Sequence, residues 1–450
     1  MALPPAFAAS ALYDSLLQGA LKRFLARATL EVESAMSESA DGRLSMEPSD
    51  DPCEIVVRWF GTRHILHVPR DQPFTPHELR VARAIGQVLE ARYAAIFDPG
   101  VLAARADLFQ GLIEDRYVAA FLDGGPYEAT ADRTRADRLA TCIEVLRVAA
   151  LSSYENRPIS SGVLCLGEPS RHPRHAVARL YGQPLTAVKS FYRLCDGLST
   201  VFLVSDDGLL LDIVDIAHRA RDLNPERAAA SPCPTAYRDH AAATLGTRDT
   251  VIVLSPSHEI KVFAEGALVF TFRNAAWHLL DIEAKYAQWL RAVGTRRIAE
   301  RLFQAALDMA DARQGALFVV LRDPEASAHE LVAHVDRLDI SASMRAAEGP
   351  GAAERRPLQY LMRGRHLHDL DDSVLRGLAS LDGAMVLDAT GRLVATGAIL
   401  MHPQQDPGYA WVSEGARTTA ALAASRYGPV LKVSTDGVVT CYDGRKLWEI

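Results

Sequence analysis

Residues 381–400 read LDGAMVLDATGRLVATGAIL. Two apolar runs, Met385–Leu387 and Leu393–Leu400, flank Ala389-Thr390-Gly391, and this pattern predicts a β-hairpin. Asp382-Gly383-Ala384 stands immediately before the first run. An aspartate there has two readings. It caps the turn ahead of the strand, or it presents a carboxylate where a glycine and a small residue let a nucleotide come close to the backbone. Upstream, Ile298, Leu302, Phe303, Ala306, Leu307 and Ala310 recur at helical spacing, so Arg297–Ala312 reads as a helix. It leads through Gly315 into Ala316–Leu321, an apolar run that reads as a strand buried on both faces. The stretches GPGAAERRP and RGRHLHDLDDS make the segment before Asp382 loop-rich. Downstream, Gly415-Ala416-Arg417-Thr418-Thr419 opens a helix over Thr418–Ser425. Helix N-terminal N–H groups beside two hydroxyls suit a phosphate, and the same residues equally make an ordinary threonine cap with a solvated arginine. Leu431–Ser434 and Val438–Tyr442 form a last strand pair around Asp436-Gly437.

The preceding segment repeats several of these landmarks. A helix over Arg135–Leu151 precedes Gly162-Val-Leu-Cys-Leu-Gly-Glu-Pro, much as a helix precedes Gly315-Ala-Leu-Phe-Val-Val-Leu-Arg-Asp-Pro. Asp196-Gly197-Leu198 leads into Thr200–Val204, as Asp382-Gly383-Ala384 leads into its hairpin. VIVLSPSHEIKVFAEGALVFTF (251–272) parallels VLKVSTDGVVTCYDGRKLWEI (430–450). Three echoes in one order point to a diverged internal duplication. The spacings differ: Gly162 to Asp196 is 34 residues, whereas Gly315 to Asp382 is 67. No Arg-Thr-Thr equivalent is evident in the earlier copy, although Gly246-Thr247-Arg248-Asp249 precedes a strand there.

Further towards the N-terminus, Leu12, Leu16, Leu17, Leu21, Phe24 and Leu25 predict a helix over residues 10–35. The polar stretch SESADGRLSMEPSDDP reads as a loop, and Glu54–Phe60 with His64–Val68 as a hairpin split at Gly61-Thr62. Thr75, Pro76 and Glu78 supply an N-cap, a first-turn proline and a capping box for a long helix. Strands followed by a helix opening with Phe74-Thr75-Pro76-His77-Glu78 are similar to the closing part of GAF-type sensor domains. A break falls at Leu122-Asp123-Gly124-Gly125-Pro126.

At about 150 residues per domain, a chain of 450 residues predicts three domains. Their expected bounds are 1–125, an α+β sensor-like or dimerisation segment; 126–292, an α/β sensor domain; and 293–450, a mixed sheet flanked by helices. The fold class is therefore α/β (α+β) and multi-domain. Lys+Arg is 49 against Asp+Glu 56, a net charge of −7, which argues against a nucleic-acid binder that works by neutralising phosphates. None of the six cysteines forms a C-x-x-C pair, and most lie in apolar runs, the pattern of reduced buried thiols in a cytoplasmic protein. No apolar run approaches the ~20 residues that span a bilayer, so no membrane partner is expected. There is no P-loop, no G-x-S-x-G and no H-E-x-x-H; His64, His67 and His77 lack metal-ligand spacing, and Ser255 and Ser425 have no base beside them in sequence.

With the order Gly315-Ala-Leu-Phe-Val-Val, Leu381-Asp382-Gly383-Ala384, Gly415-Ala416-Arg417-Thr418-Thr419-Ala420-Ala421 and Val433-Ser434-x-Asp-Gly, residues 293–450 resemble the DisA-type diadenylate cyclase (DAC) domain. That resemblance implies the joining of two ATP molecules into cyclic di-AMP and pyrophosphate, with Mg2+ or Mn2+. It implies that Asp382 binds the metal and faces the attacking 3′-hydroxyl. Arg417, Thr418 and Thr419 would hold phosphates, while Gly383, Ala384, Gly415 and Ser434 would line the nucleotide pocket. It also implies a homo-oligomer, at least a dimer, because two such domains meet face to face, with the N-terminal region regulatory. The chain departs from the family where a Thr-Arg-His-Arg motif is expected: Ala416-Arg417-Thr418-Thr419 keeps only the first arginine, and Thr435 replaces a frequent glutamate. Losing one cation and a histidine weakens the grip on a triphosphate. Arg363, Arg365, His366 and His368 are conjectured replacements. The alternatives are a catalytically inactive DAC-like domain that senses a nucleotide or cyclic dinucleotide, and an interaction module with no ligand.

Overall fold

The computed structural model describes residues 5–25, 27–35, 44–59, 62–70, 72–130, 132–154, 156–169, 179–182, 194–223, 231–338, 352–401 and 415–450. The protein is a mixed α+β chain that divides into two compact units, Met1–Ser231 with Asp239–Asp281, and Pro232–Arg238 with Ile282–Ile450.

The first unit opens with a helix, Pro5–Phe24. The helix expected over 10–35 therefore stops early. Arg27 takes a positive φ of 65°, and Thr29–Ala35 becomes strand β1. Its residues Thr-Leu-Glu-Val-Glu alternate with period two, which suits a strand better than a helix continuation. Strands β2 (Ser45–Pro48), β3 (Glu54–Trp59) and β4 (Thr62–His67) complete an antiparallel sheet in the order β1-β4-β3-β2. The stretch expected as a loop thus contains β2; its residues 37–43 lie outside the described residues. The helix Pro76–Phe97 carries the expected capping box: Thr75 Oγ1 accepts from the Glu78 N–H, and Glu78 reaches back to the Thr75 N–H.

Beyond it the helix Ile113–Asp123 ends at Gly124, which has φ 69° and so forms a left-handed C-cap. The helix Arg135–Ala150 follows, again with a capping box, from Thr134 and Asp137. After the short pair β5 (Ser153–Tyr154) and β6 (Arg157–Pro158) come β7 (Ser161–Cys165), β8 (Arg179–Leu180), β9 (Thr200–Val204), β10 (Leu209–Asp215), β11 (Thr250–Leu254), β12 (Ile260–Ala264), β13 (Ala267–Arg273) and β14 (Ala276–Leu279). They form one sheet in the order β14-β13-β12-β11-β7-β9-β10-β8. Every residue of β7, β11 and β12 is buried, as expected for strands covered on both faces. One continuous core runs from Tyr13 and Phe24 through Phe121 to Phe270 and Trp277. All six cysteines are free and buried, and Cys142 and Cys165 bring their Sγ atoms to 3.6 Å in this unit.

The second unit contains β15 (Ala316–Leu321), β16 (Ala384–Asp388), β17 (Leu393–Ala398), β18 (Val430–Val433), β19 (Val439–Asp443) and β20 (Arg445–Glu449), ordered β17-β16-β15-β18-β19-β20. β15 runs parallel to β16, and every other neighbouring pair is antiparallel. The helix Gly415–Ala424 packs Ala421 and Ala424 on Leu317, Val319 and Val430. The helix Arg296–Asp311 places Phe303 6.0 Å from Trp448 of β20. The segment before Asp382, expected to be loop-rich, holds the helices Pro324–Leu331, Ala352–Met362 and Asp372–Ala379. In the last of these Leu375 and Leu378 are buried at three-residue spacing, the signal that the charged residues around them obscure.

The two sheets share a strand plan. The order β10-β9-β7-β11-β12-β13 has β7 parallel to β9 and every other pair antiparallel, strand for strand the plan of β17-β16-β15-β18-β19-β20.

Candidate functional site

The parallel pairing of β15 with β16 puts Phe318 beside Met385 and Val319 beside Val386. Continued three residues towards the two N-termini, this register sets Gly315 level with Asp382, one strand across, or about 5 Å of backbone separation. β18 is antiparallel to β15 and pairs Val433 with Ala316, so Ser434 leaves the sheet at the same end. Asp382, Gly383, Gly315 and Ser434 therefore gather on one rim of the sheet.

Gly383 is at this rim for a steric reason. Its φ is +112°, and a Cβ there would stand 2.5 Å from the Gly397 carbonyl carbon and 2.7 Å from the Ala398 oxygen. Only glycine lets the turn before β16 cross β17 so closely. Ala384 follows as the first, buried residue of β16. Ser434 closes the β18–β19 turn, with its N–H donating to Val438 O and its carbonyl accepting from Gly437 N–H.

The helix Gly415–Ala424 begins over the same rim. Its C-terminal end is tied to the far end of β15, where Val320 N–H donates to Pro429 O and Arg322 N–H to Tyr427 O. Its N-terminal end comes back to Gly315: a Cβ built on Gly315 would overlap the Arg417 guanidinium, so the guanidinium lies against the bare Cα. The positive end of the helix dipole and the arginine charge thus face the rim that carries Asp382. Thr418 Oγ1 accepts a hydrogen bond from Lys432 Nζ at 3.0 Å, and Thr419 Oγ1 makes a 3.4 Å bond to Gly415 O. Asp382 is exposed and Arg417 half-buried, and neither side chain has a hydrogen bond or ion pair among the described residues.

The conjectured replacement charges lie elsewhere. His366 bridges to Arg392, Leu367 N–H donates to Gly391 O, and Leu393 N–H donates to Arg365 O. These contacts hold Arg365, His366 and His368 at the β16–β17 turn, the opposite end of β16 from Asp382. His366 and His368 share Asp369 as a neighbour. Arg363 follows the helix Ala352–Met362, its N–H donating to Gln359 O. Sequence reading gave no sign of Lys432. The signal available was a single lysine inside the apolar run Val430-Leu431-Lys432-Val433, since charged residues are rarely placed in buried strands without a reason.

The earlier sheet does not rebuild this arrangement. Asp196 Oδ1 accepts the N–H groups of Leu198, Ser199 and Thr200, which satisfies the carboxylate within its own turn. Arg248 stands at the other end of that sheet, because its neighbour Thr250 pairs with Cys165 at the close of β7, and its guanidinium bonds Asp123. The dispersed histidines serve separate carboxylates: His64 lies 3.8 Å from Asp14, His67 3.5 Å from Glu54, and His77 3.1 Å from Asp281. Ser425 Oγ donates to Leu422 O, and Ser255 Oγ shares a bond with Ser257.

Among the described residues no three His, Cys, Asp or Glu side chains gather as a metal cluster. Asp382 is a lone carboxylate. That donor set fits a Mg2+ or Mn2+ ion held mostly by substrate phosphates and water, with one protein ligand. No helix among the described residues is long and apolar enough to cross a membrane.

No known family profile and no curated protein matches the chain. Among solved structures it is similar to a double mutant of DacA from Staphylococcus aureus, at 20% identity, covering 33% of this chain and 84% of that one, with a TM-score of 0.20. It is also similar to a hypothetical membrane-spanning protein from Bacillus cereus, at 19% identity, 38% and 76% coverage, and a TM-score of 0.23.

Proposed function

We propose that the second unit binds ATP at the Asp382–Arg417 rim and that the protein condenses two ATP molecules into cyclic di-AMP, with the N-terminal region acting as a sensor. The observation that carries this reading is the Arg417 guanidinium laid on Gly315, one strand from Asp382, where the helix Gly415–Ala424 starts. An anion-binding helix start and a free carboxylate on one rim are what a triphosphate with a bridging metal requires. In the reaction each 3′-hydroxyl oxygen bonds to the α-phosphorus of the other ATP. The α–β phosphoanhydride breaks, pyrophosphate leaves with the electron pair, and the hydroxyl proton passes to solvent. Asp382 orients the hydroxyl and would hold the metal, which spreads the phosphate charge when bound. Arg417, Thr418 and Thr419 hold the phosphates, and Gly383, Ala384, Gly415 and Ser434 leave room for the nucleotide. Closing the ring takes two such sites, hence a homodimer or larger assembly. Nothing in this scheme calls for a membrane or a nucleic acid, and a cytoplasmic location suits it.

The shared strand plan of the two sheets supports an ancestral duplication whose first copy, with Asp196 satisfied internally, has become a sensory or scaffolding module. A second reading of the rim, a nucleotide sensor without turnover, draws on the neutral Thr418 and Thr419 at positions where the resemblance implies a histidine and a cation. One experiment separates the two. Purified protein is incubated with ATP and Mn2+ or Mg2+, and products are identified by mass spectrometry beside Asp382→Asn. Cyclic di-AMP from the parent and none from the variant is expected. No product at any protein concentration or with either metal removes the enzyme reading, and calorimetric ATP binding without turnover then establishes the sensor.

A further inference from the structure

We infer that Lys432 is a phosphate-binding residue of this rim and supplies the cation that positions 418 and 419 lack; the inference rests on the nucleotide reading above. Lys432 is a half-buried lysine in β18 between the buried residues Leu431 and Val433. It pairs with Leu317, two residues from Gly315, and its ammonium reaches across to the first turn of the helix Gly415–Ala424, donating to Thr418 Oγ1 at 3.0 Å. Arg417 of that same turn lies on Gly315. Two cations on different elements thus flank one helix start, where the dipole already favours an anion.

An independent feature marks the same place as built for a polar occupant. Thr440 of β19 pairs directly with Lys432, so both side chains stand on the same face of the sheet. Thr440 is fully buried, and its hydroxyl has no hydrogen-bond partner among the described residues. A buried hydroxyl left without a partner is costly, and an anion drawn in by Lys432 offers it an acceptor. The Lys432 ammonium already sits at this helix start through its bond to Thr418. Its flexible stem lets the ammonium swing from that hydroxyl to a phosphate oxygen without moving the strand.

The test measures ATP affinity of the full-length protein by calorimetry, with melting temperature alongside, for the parent, Lys432→Met, Lys432→Gln and Lys432→Arg. The two neutral variants should lose about tenfold or more in ATP affinity while melting like the parent, and the arginine variant should stay within about threefold. If the parent binds ATP and the neutral variants bind it equally well, Lys432 has no such role although the nucleotide site stands. If arginine is as damaging as methionine, the side chain acts through packing and the inference is overturned. If the parent does not bind ATP at all, the site itself falls.

Discussion

Asp196 and Asp382 both precede a glycine and then a strand, yet their environments differ. Three backbone N–H groups bond the first, and although partial burial pushes its pKa up, those hydrogen bonds outweigh it and hold the carboxyl below its ordinary value. The second is exposed, with no hydrogen bond or ion pair among the described residues. Next to the satisfied aspartate, the imidazole of His240 is fully buried, with Nε2 2.8 Å from Gly197 O and so carrying the proton. Burial pushes its pKa down to about 4 against the opposing pull of Gly197, Asp239 and Asp196. The unfolded chain takes up a proton near the ordinary value of 6.5, and the folded one does so only near 4. Stability from this residue is therefore full above about pH 6.5 and is lost as pH falls towards about 4. The difference amounts to about 3 kcal/mol at its fullest. Urea unfolding of the parent and His240→Gln across this window should show a steeper acid loss in the parent; parallel curves would contradict the assignment.

At the scale of elements, the seat of the helix Gly415–Ala424 on β15 depends on the missing side chain at Gly315. A Cβ there meets only the far end of the Arg417 side chain, not backbone, so the strand can keep its path while the guanidinium is displaced. Gly315→Ala should leave the melting temperature within a few degrees of the parent and lower ATP affinity about as far as Arg417→Ala does. Full affinity in both variants would detach the helix start from nucleotide binding. The strands around this seat are legible in part: the apolar run Ala316–Leu321 matches β15, and the Thr390-Gly391 and Asp436-Gly437 turns mark the hairpins β16–β17 and β18–β19. The apolar stripe Leu17, Leu21, Phe24, Leu25 carries no signal of where it stops; the turn at Arg27, with its positive φ, ends the helix, and Leu30 and Val32, two apart, belong to β1. The helix Asp372–Ala379 is hidden by its charge, since only the narrow stripe of Leu375, Leu378 and Ala379 is buried.

For the whole molecule, the proposed chemistry requires two rims to meet, because each ATP attacks the other. Leu381, Ile399 and Met401 are exposed apolar residues at the Asp382 end of β16 and β17, the kind of surface that assembly covers. Specific activity should rise with protein concentration in the range where monomers pair, and light scattering should show the larger species in step with it. Activity per molecule that stays flat over a hundredfold dilution, with a monomer throughout, would contradict the paired-rim scheme. A monomer that still binds ATP would leave the sensor reading in place.

The amino-acid order by itself determined the local pieces: apolar runs long enough for strands, the Thr75 cap of one helix, Gly-containing turns, and an Asp-Gly-Ala and an Arg-Thr-Thr some thirty residues apart. These follow from side-chain size, branching and charge acting over a few residues. Only the tertiary structure decided that Asp382 and Arg417 share a rim, that Arg365 and the neighbouring histidines do not, and that Lys432 joins Thr418. Those relations depend on which strands pair and in which sense. Pairing is set by burial of distant apolar faces against one another, and no short window of the chain contains that information.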